Sequence, residues 1–258
     1  MVRLGRHHVP YATLDHMASA LELPPISTSI LADVEQAAVN FGVTRDQMTE
    51  AAARAAAALS RKMLDNQVAG ATVVALCGNG VKGCIALHTL RILHGFGADC
   101  SAVLTGSEQE MRPETVTAAT VCEALRLPLL QPRSPAVRGA VADADLVLDG
   151  LVGVGLDGAP REPLAALIRL ANEVRADALS LECPSGLEPD TGEPLAPTLK
   201  ARTTLALGLP AAGLFGTLAW QYTGELWLCD IGYPPEALDD SDLDGDGIFE
   251  TNELVRLR

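Results

Sequence analysis

The chain is short of basic residues and of long apolar runs, and each shortage excludes a class of protein. It has 19 lysines and arginines against 33 acidic residues, which gives a formal net charge of −14. Binding to a phosphate backbone needs basic patches, so we expect no nucleic-acid partner. No run approaches the ~18 apolar residues of a membrane-spanning helix, so we expect no membrane partner. Residues 1–8 lead to no apolar segment, so we expect no signal peptide and a cytoplasmic location.

The six cysteines form no C-x-x-C pair, which argues against the commonest kind of zinc site. They are scattered along the chain and mostly lie within apolar runs. We therefore expect structural thiols in a reducing cytoplasm, with zinc ligation or disulfides as the alternatives.

Residues 76–84, with the sequence LCGNGVKGC, are typical of a glycine turn between a strand and a helix. The apolar run 72–75 precedes them, and residues 85–93 are apolar at helical spacing. This arrangement opens doubly wound α/β domains, where N–H groups at the helix start favour an anion such as pyrophosphate. A tight structural turn needs the same glycines, so that alternative stays open. No Gly-Lys-Ser/Thr follows, so the turn is not a P-loop.

The rest of the chain alternates apolar strands with helical segments, which indicates mostly parallel strand pairing. At 258 residues and 48% hydrophobic content, the chain can fill one large domain. We expect an α/β fold, a three-layer Rossmann-like sandwich with a mostly parallel central sheet. The predicted strands are 72–77, 101–104, 128–130, 145–149, 178–182, 203–207 and 225–229, the last closing the sheet. The predicted helices are 27–40, 44–64, 83–95, 113–125 and 160–174.

Polar features follow several of these strands, at the edge where open α/β sheets bind ligands. They are the glycine loop, Asp149, the glycine-rich run 153–158, and the sequence ECPSG at 182–186. Singly, Asp149 can be a turn aspartate, Glu182 an edge carboxylate without a chemical role, and Ser185 a turn hydroxyl. Together, they favour an anion-binding cleft.

Six segments in order carry a family resemblance. They are MTEAAAR at 48–54, the glycine loop from 78, LDGLVGVG at 148–155, ECPSG at 182–186, TTLALGLP at 203–210 and DIGYP at 230–234. Their order and spacing resemble the NAD(P)H-hydrate epimerase family, the YjeF N-terminal domain. The resemblance covers about residues 27–238, which we expect to form a YjeF N-terminal-like Rossmann domain. The residues outside it are expected to form an N-terminal arm at 1–26 and an acidic tail at 239–258.

The resemblance implies an isomerase that interconverts the R and S epimers of hydrated NADH and NADPH. These compounds carry a hydroxyl on C6 of the reduced nicotinamide ring, which can leave as water and return on the other face. An acid must protonate the leaving oxygen, and a carboxylate can stabilise the cationic ring. The family's acid–base candidate falls on Glu182. The expected partner is hydrated NADH, hydrated NADPH or a related nucleotide, with a homodimer as a further option.

The resemblance also implies contacts with a substrate diphosphate and with a potassium ion. The diphosphate contacts fall on 81–85 and 153–159. The expected nucleotide-binding residues are Gly78, Asn79, Gly80, Val81, Lys82, Gly83, Gly153, Val154, Gly155, Leu156, Asp157 and Gly158. The potassium ligands fall on Lys82, Asp149 and Ser185.

Several residues depart from the family pattern. An Asn-Asn pair has become Val81-Lys82, an acid has become Ile85, the D-x-P-S-G aspartate has become Glu182, and an asparagine has become Ala51. The alternative function is therefore a catalytically silent nucleotide- or protein-binding module, and a different small nucleotide is a third reading.

The Lys82 departure gives a specific hypothesis. An ammonium and a potassium ion carry the same charge, and a lysine head group donates three hydrogen bonds. We expect the Lys82 nitrogen within about 4 Å of an Asp149 oxygen, at or beside the ion site. The alternative is that Lys82 points into solvent from the helix start.

The acidic tail has the spacing of a calcium loop, D-x-D-x-D-G-x-Φ-x-x-x-E. The ligands would be Asp242, Asp244, Asp246 and Glu253. No convincing entering helix precedes the loop, so a solvated acidic tail is the alternative.

Overall fold

Eight strands in the described part of the chain form one sheet. The computed structural model describes residues 26–174, 177–239, 249 and 252–258. The strands are β1 (Thr72–Cys77), β2 (Asp99–Leu104), β3 (Leu129–Leu130), β4 (Leu146–Gly150), β5 (Ala178–Leu181), β6 (Thr203–Leu207), β7 (Glu225–Cys229) and β8 (Leu254–Arg256). Their order is β3-β2-β1-β4-β5-β6-β7-β8, with every neighbouring pair parallel except β7 and β8. The order reverses direction between β1 and β4, which is where such sheets bind ligands.

Helices cover both faces of the sheet. They are α1 (Thr28–Asn40), α2 (Arg45–Met63), α3 (Val81–Gly95), α4 (Pro113–Ala124), α5 (Ala136–Ala142), α6 (Leu164–Val174), α7 (Trp220–Thr223) and α8 (Pro235–Asp239). A 3₁₀ turn spans Ala212–Phe215.

Alternate residues of β1 enter two different cores, which shows the three layers directly. Val73 and Ala75 belong to a core shared with α2, α3 and α4, whereas Val74 and Leu76 belong to one shared with α5 and α6. This is the two-residue side-chain period of a strand that is buried on both faces. The predicted three-layer sandwich with a mostly parallel sheet is confirmed.

The long alanine-rich helix α2 begins where its cap was predicted. The Gln47 N–H donates to the Thr44 hydroxyl at 3.2 Å, and the Gln47 side-chain oxygen accepts from the Thr44 N–H at 2.8 Å. This reciprocal capping box satisfies donors that the first helical turn leaves without intrahelical partners.

Several element predictions were wrong in detail. Helix α6 begins at Leu164, four residues later than predicted, and strand β2 begins at Asp99, two residues earlier than predicted. Helix α3 begins at Val81, two residues earlier than predicted, so Lys82 lies in its first turn. Residues 136–142 form α5, a helix of seven residues that is too short for a clear apolar period. The strand 225–229 does not close the sheet, because Leu254–Arg256 pairs antiparallel beside it.

All six cysteines are free and buried, as expected of structural thiols. Burial raises the pKa of Cys84 to about 12, so its thiol stays protonated at neutral pH. Among the residues with described coordinates, no helix is long and apolar enough to cross a membrane. Residues 1–25 of the predicted N-terminal arm, and Asp242, Asp244 and Asp246 of the predicted calcium loop, lie outside the described residues.

Candidate functional site

The loops after β1 and β4 pack backbone to backbone at the point where the strand order reverses. The Gly78 N–H donates to the Gly150 carbonyl at 2.8 Å. A Cβ at Gly78 would lie 1.8 Å from the Leu151 carbonyl oxygen, and one at Gly83 would lie 2.1 Å from the Gly78 carbonyl oxygen. Gly78 and Gly83 are therefore required for close backbone packing, as the structural-turn alternative proposed.

The Lys82 ammonium lies inside a cage of four oxygens that the loops supply. Its nitrogen is 3.1 Å from Asp149 Oδ2, 3.0 Å from Ser185 Oγ, 3.0 Å from the Val152 carbonyl oxygen and 2.7 Å from the Cys183 carbonyl oxygen. Lys82 is only 6% exposed. A buried ammonium needs this many acceptors because it has lost its hydration.

The expected contact between Lys82 and Asp149 is thus confirmed, and the solvent-pointing alternative is wrong. The reason is the start of α3: from its first turn, the side chain reaches past the glycine loop to the ends of β4 and β5. A cation at a helix N-terminus opposes the macrodipole, and the Asp149 carboxylate offsets that cost.

Asp149 is the anionic wall of the cage and is fully buried. Its carboxylate also accepts bonds from the Ser180 hydroxyl at 2.8 Å, the Ser185 N–H at 2.9 Å and the Leu151 N–H at 3.2 Å. A buried carboxylate with a paired cation and this set of donors is well compensated.

Glu182 lies one residue beyond β5 and has a different environment. Its backbone is left-handed, with φ of +63°, and its Oε2 accepts from the Val154 N–H at 2.8 Å. A Cβ at Gly153 would lie 1.7 Å from that oxygen, so a side chain there would force the carboxylate to move. Burial raises the pKa of Glu182, and the Val154 N–H and the Lys82 charge offset part of the rise.

A cavity of about 300 Å³ opens beside this carboxylate, between α1, α2, α3 and the ends of β6 and β7. Its wall is largely apolar. Of the expected catalytic, nucleotide-binding and diphosphate-contact residues, the following five line it: Val81, Lys82, Ile85, Val154 and Glu182. A mostly apolar cavity with a few polar groups is the usual form of a small-molecule site.

The remaining expected nucleotide-binding residues lie in the flanking loops. Asn79 lies beside Thr105, and the Gly80 carbonyl accepts from the Thr115 hydroxyl at 3.1 Å. The run Gly153–Gly158 passes from the cage outward, and its last members form an exposed loop before α6. The exposed residues of that run are Gly155, Asp157 and Gly158.

Several groups of the site were missed by sequence reasoning. Val152 and Cys183 contribute main-chain oxygens to the cage, which no side-chain pattern can reveal. Glu35 and Tyr233 line the cavity from α1 and from the segment after β7. Burial, and then the charges of Glu35 and Glu182, raise the pKa of the Tyr233 hydroxyl, so it remains a donor. The D-I-G-x-P segment was the signal for Tyr233.

Metal-ligand clusters of the usual kind are not part of this site. Within the described ranges, no group of three or more histidine, cysteine, aspartate or glutamate side chains could hold a metal ion. Asp149 and Ser185, the expected ligands of a monovalent ion, instead contact the Lys82 ammonium.

Comparison with known proteins gives the same family as the motifs. The model of the family described as YjeF-related protein N-terminus matches residues 45–213. An NAD(P)H-hydrate epimerase of Dehalogenimonas lykanthroporepellens is 32% identical over 223 residues, covering 84% of this chain and 86% of the relative. One of Cenarchaeum symbiosum is 31% identical over 214 residues, covering 82% and 97%.

A solved structure shares the fold. The crystal structure of yeast ynu0 superimposes with a TM-score of 0.80 over 91% of this chain and 100% of that chain, at 17% identity. At that identity the likeness bears on the fold alone. Because the family model covers most of the chain and epimerase relatives align over most of both lengths, the chain belongs to the YjeF-related protein N-terminus family.

Proposed function

We propose that the protein is an NAD(P)H-hydrate epimerase, an isomerase that interconverts the R and S epimers of hydrated NADH and NADPH. Relatives that align over most of their length carry this name. The observation that carries the proposal is the Glu182 carboxyl group on the cavity wall, fixed by the Val154 N–H. Burial raises its pKa, which favours the protonated form that a proton donor needs.

Glu182 supplies the proton that the reaction needs. The protonated carboxyl group gives its proton to the C6 hydroxyl, the C–O bond breaks, and water leaves a cationic nicotinamide ring beside a carboxylate. Water then adds to the opposite face and returns a proton to Glu182, so no net atom or electron is gained or lost. The new carboxylate stabilises the cationic ring strongly, because its apolar surroundings screen the charges poorly.

The apolar part of the cavity wall is suited to a ring. Ile85, Leu207 and Leu209 line it, and Tyr233 adds a hydroxyl donor. We place the nicotinamide here, with the ring against the apolar residues. Ile85 stands where the family pattern has an acid, and so the wall has one fewer polar contact for the ring's substituents.

The start of α3 supports the placement of the substrate diphosphate. Gly80 is the N-cap, and no side chain in the described part of the chain caps the helix there. The N–H groups of the first turn are therefore free of a side-chain cap, and the glycine-rich loop Gly153–Gly158 runs nearby. Helix N-termini and exposed backbone amides are suited to phosphate oxygens.

A potassium ion does not fit the residues that this chain has. The Lys82 ammonium fills the space between Asp149, Ser185 and the two carbonyl oxygens. A second cation in the same cage would lie against that ammonium and be repelled. No step of the proposed reaction passes through potassium.

The proposal includes a cytoplasmic location, no nucleic-acid or membrane partner, and a homodimer as an open option for assembly. The net charge of −14 supports the first exclusion, since an acidic chain repels a phosphate backbone. The apolar part of the cavity wall and the Glu182 carboxyl group on it support the hydrated nicotinamide ring of NADH or NADPH hydrate as the small-molecule partner.

Epimer exchange on the purified full chain tests the function. A single epimer of hydrated NADH is incubated with the protein, and chromatography follows the appearance of the other epimer. The Glu182→Gln variant should lose about 10²–10⁴-fold in exchange rate, because an amide cannot donate the proton. Glu123→Gln, on the exposed side of α4, is the matched control and should keep the wild-type rate.

Two outcomes contradict parts of the proposal. Equal rates for wild type and Glu182→Gln would remove Glu182 from the acid–base role. A wild-type chain that binds hydrated NADH without exchanging it would be a nucleotide-binding module of this fold.

A further inference from the structure

One ammonium group ties together the two loops that hold Glu182. The Val152 carbonyl lies on the loop that continues to Val154, whose N–H binds the Glu182 carboxylate. The Cys183 carbonyl belongs to the residue directly after Glu182. The Lys82 nitrogen therefore holds the backbone at both ends of the Glu182–Val154 contact. It binds two residues before Val154 and one residue after Glu182.

The cage is built for a cation rather than for a lysine in particular. It presents a carboxylate, a hydroxyl and two carbonyl oxygens, all 2.7–3.1 Å from a single point. Oxygen dipoles that converge in a buried space repel one another unless positive charge lies between them. Ammonium and potassium ions have similar size and equal charge, and both bind oxygen ligands of this kind.

We propose that Lys82 is a tethered replacement for a free monovalent cation, and that it acts as a positioning residue for Glu182. The wild-type protein then keeps its own cation under all salt conditions. Removing the side chain opens a cage that takes a potassium or ammonium ion from solution. The cation part stands on the cage alone, whereas the effect on turnover rests on the proposed function.

Two variants distinguish a cage that has room for an ion from a cage that is filled by an uncharged side chain. Lys82→Ala removes the chain beyond Cβ and leaves room for an ion. Lys82→Met keeps a chain of similar length without the charge, so it blocks the cage. An ion should restore the first variant and leave the second unchanged.

Thermal unfolding in different chloride salts at equal ionic strength is the measurement. Tetramethylammonium, which is too large for the cage, gives the baseline. Wild type should melt at the same temperature in potassium, ammonium and tetramethylammonium chloride. Lys82→Ala should melt higher in potassium or ammonium than in tetramethylammonium, by at least about 2–4 °C for a chain of this size. Lys82→Met should show no such difference.

The unfolding result does not depend on turnover, so it is distinguishable from failure of the proposed function. Wild type that gains stability specifically from potassium would overturn the proposal. So would a Lys82→Ala variant that melts equally in all three salts, or that stays unfolded in potassium and ammonium. A variant folded only with those ions would support it.

The positioning role has a second readout if exchange is observed. Lys82→Ala in tetramethylammonium should lose exchange and change the pH dependence of the remaining rate, because Glu182 loses its anchored loops and a nearby positive charge. Ammonium should restore both the rate and the pH profile. Restored stability without a restored pH profile would limit Lys82 to a structural role.

Discussion

Asp149 and Glu182 are carboxylates at the ends of neighbouring strands, β4 and β5, and their surroundings are opposites. Asp149 is fully buried and receives an ammonium, two N–H groups and hydroxyl donors. Glu182 receives the Val154 N–H, and its carboxyl group lies against a cavity. The first arrangement satisfies a fixed negative charge, and the second leaves room for a proton or a substrate.

The difference shows how two carboxyl groups at one edge of the sheet can have different roles, one structural and one in proton transfer. The Asp149 carboxylate is surrounded by donors and paired with a cation, and these contacts hold the loops after β4 and β5 together. A buried carboxyl group with fewer donors has a raised pKa and can exchange a proton. Lys82 connects the two carboxyl groups. It binds Asp149 directly, and its positive charge offsets part of the rise in the pKa of Glu182.

The largest expected effect comes from breaking the fixed charge. Asp149→Asn leaves the Lys82 ammonium buried without its counter-ion, and removing one partner of a buried pair costs about 3–5 kcal/mol of unfolding free energy. Urea denaturation measures this cost. The double variant Asp149→Asn with Lys82→Met should cost less than the sum of the two single changes, because no buried charge is left unpaired. Strict additivity would contradict the pairing.

Glu182 should make the stability of the folded protein depend on pH. A carboxyl group whose pKa is raised on folding contributes stability when protonated, and that contribution is lost as pH rises through the folded pKa. From the ordinary glutamate value of about 4.3 upward, wild type should therefore lose stability relative to Glu182→Gln, which stays neutral. Unfolding free energies measured across that range check this. Parallel curves for the two proteins would contradict the raised pKa.

A pair of glycines tests how tightly the second carboxylate is held. Gly153→Ala places a Cβ 1.7 Å from Glu182 Oε2 and must displace it, whereas Gly155→Ala meets nothing within 4 Å. The first change should cost about 1–3 kcal/mol in unfolding free energy and reduce epimer exchange. The second is the matched control for stability and should leave the unfolding free energy near the wild-type value. Equal behaviour of the two variants would show that the loop yields easily.

The motifs predicted the fold and most of the site because they lie at strand ends, which parallel pairing brings to one edge. The sequence also indicated Lys82 and Asp149 as partners, through a residue type that departs from the family pattern. Main-chain oxygens such as those of Val152 and Cys183 have no side-chain signal. Helix α5 and strand β8 were missed because each is too short for a period, and both depend on tertiary pairing.

The acidic tail is a third group of carboxylates and should give the smallest effect. We propose that residues 242–253 bind calcium weakly, on the order of 10⁻⁴–10⁻³ M, as isolated loops of this spacing do. Calorimetry should compare the full chain with a variant carrying Asp242→Asn, Asp244→Asn and Asp246→Asn. This variant is preferable to truncation, because β8 pairs with β7 and the Glu253 carbonyl accepts from the Asp230 N–H at 2.9 Å.

We expect a measurable heat of calcium binding for wild type and none for the variant. The rate of epimer exchange should be the same in both. Equal heats would place any bound calcium elsewhere on this acidic chain, and no heat from either would leave the tail as solvated charge. A change in exchange on adding calcium would mean that the tail, unlike the Lys82 cage, acts on the cavity through β7. In that case the tail and the site at Asp149 and Glu182 would not be functionally independent.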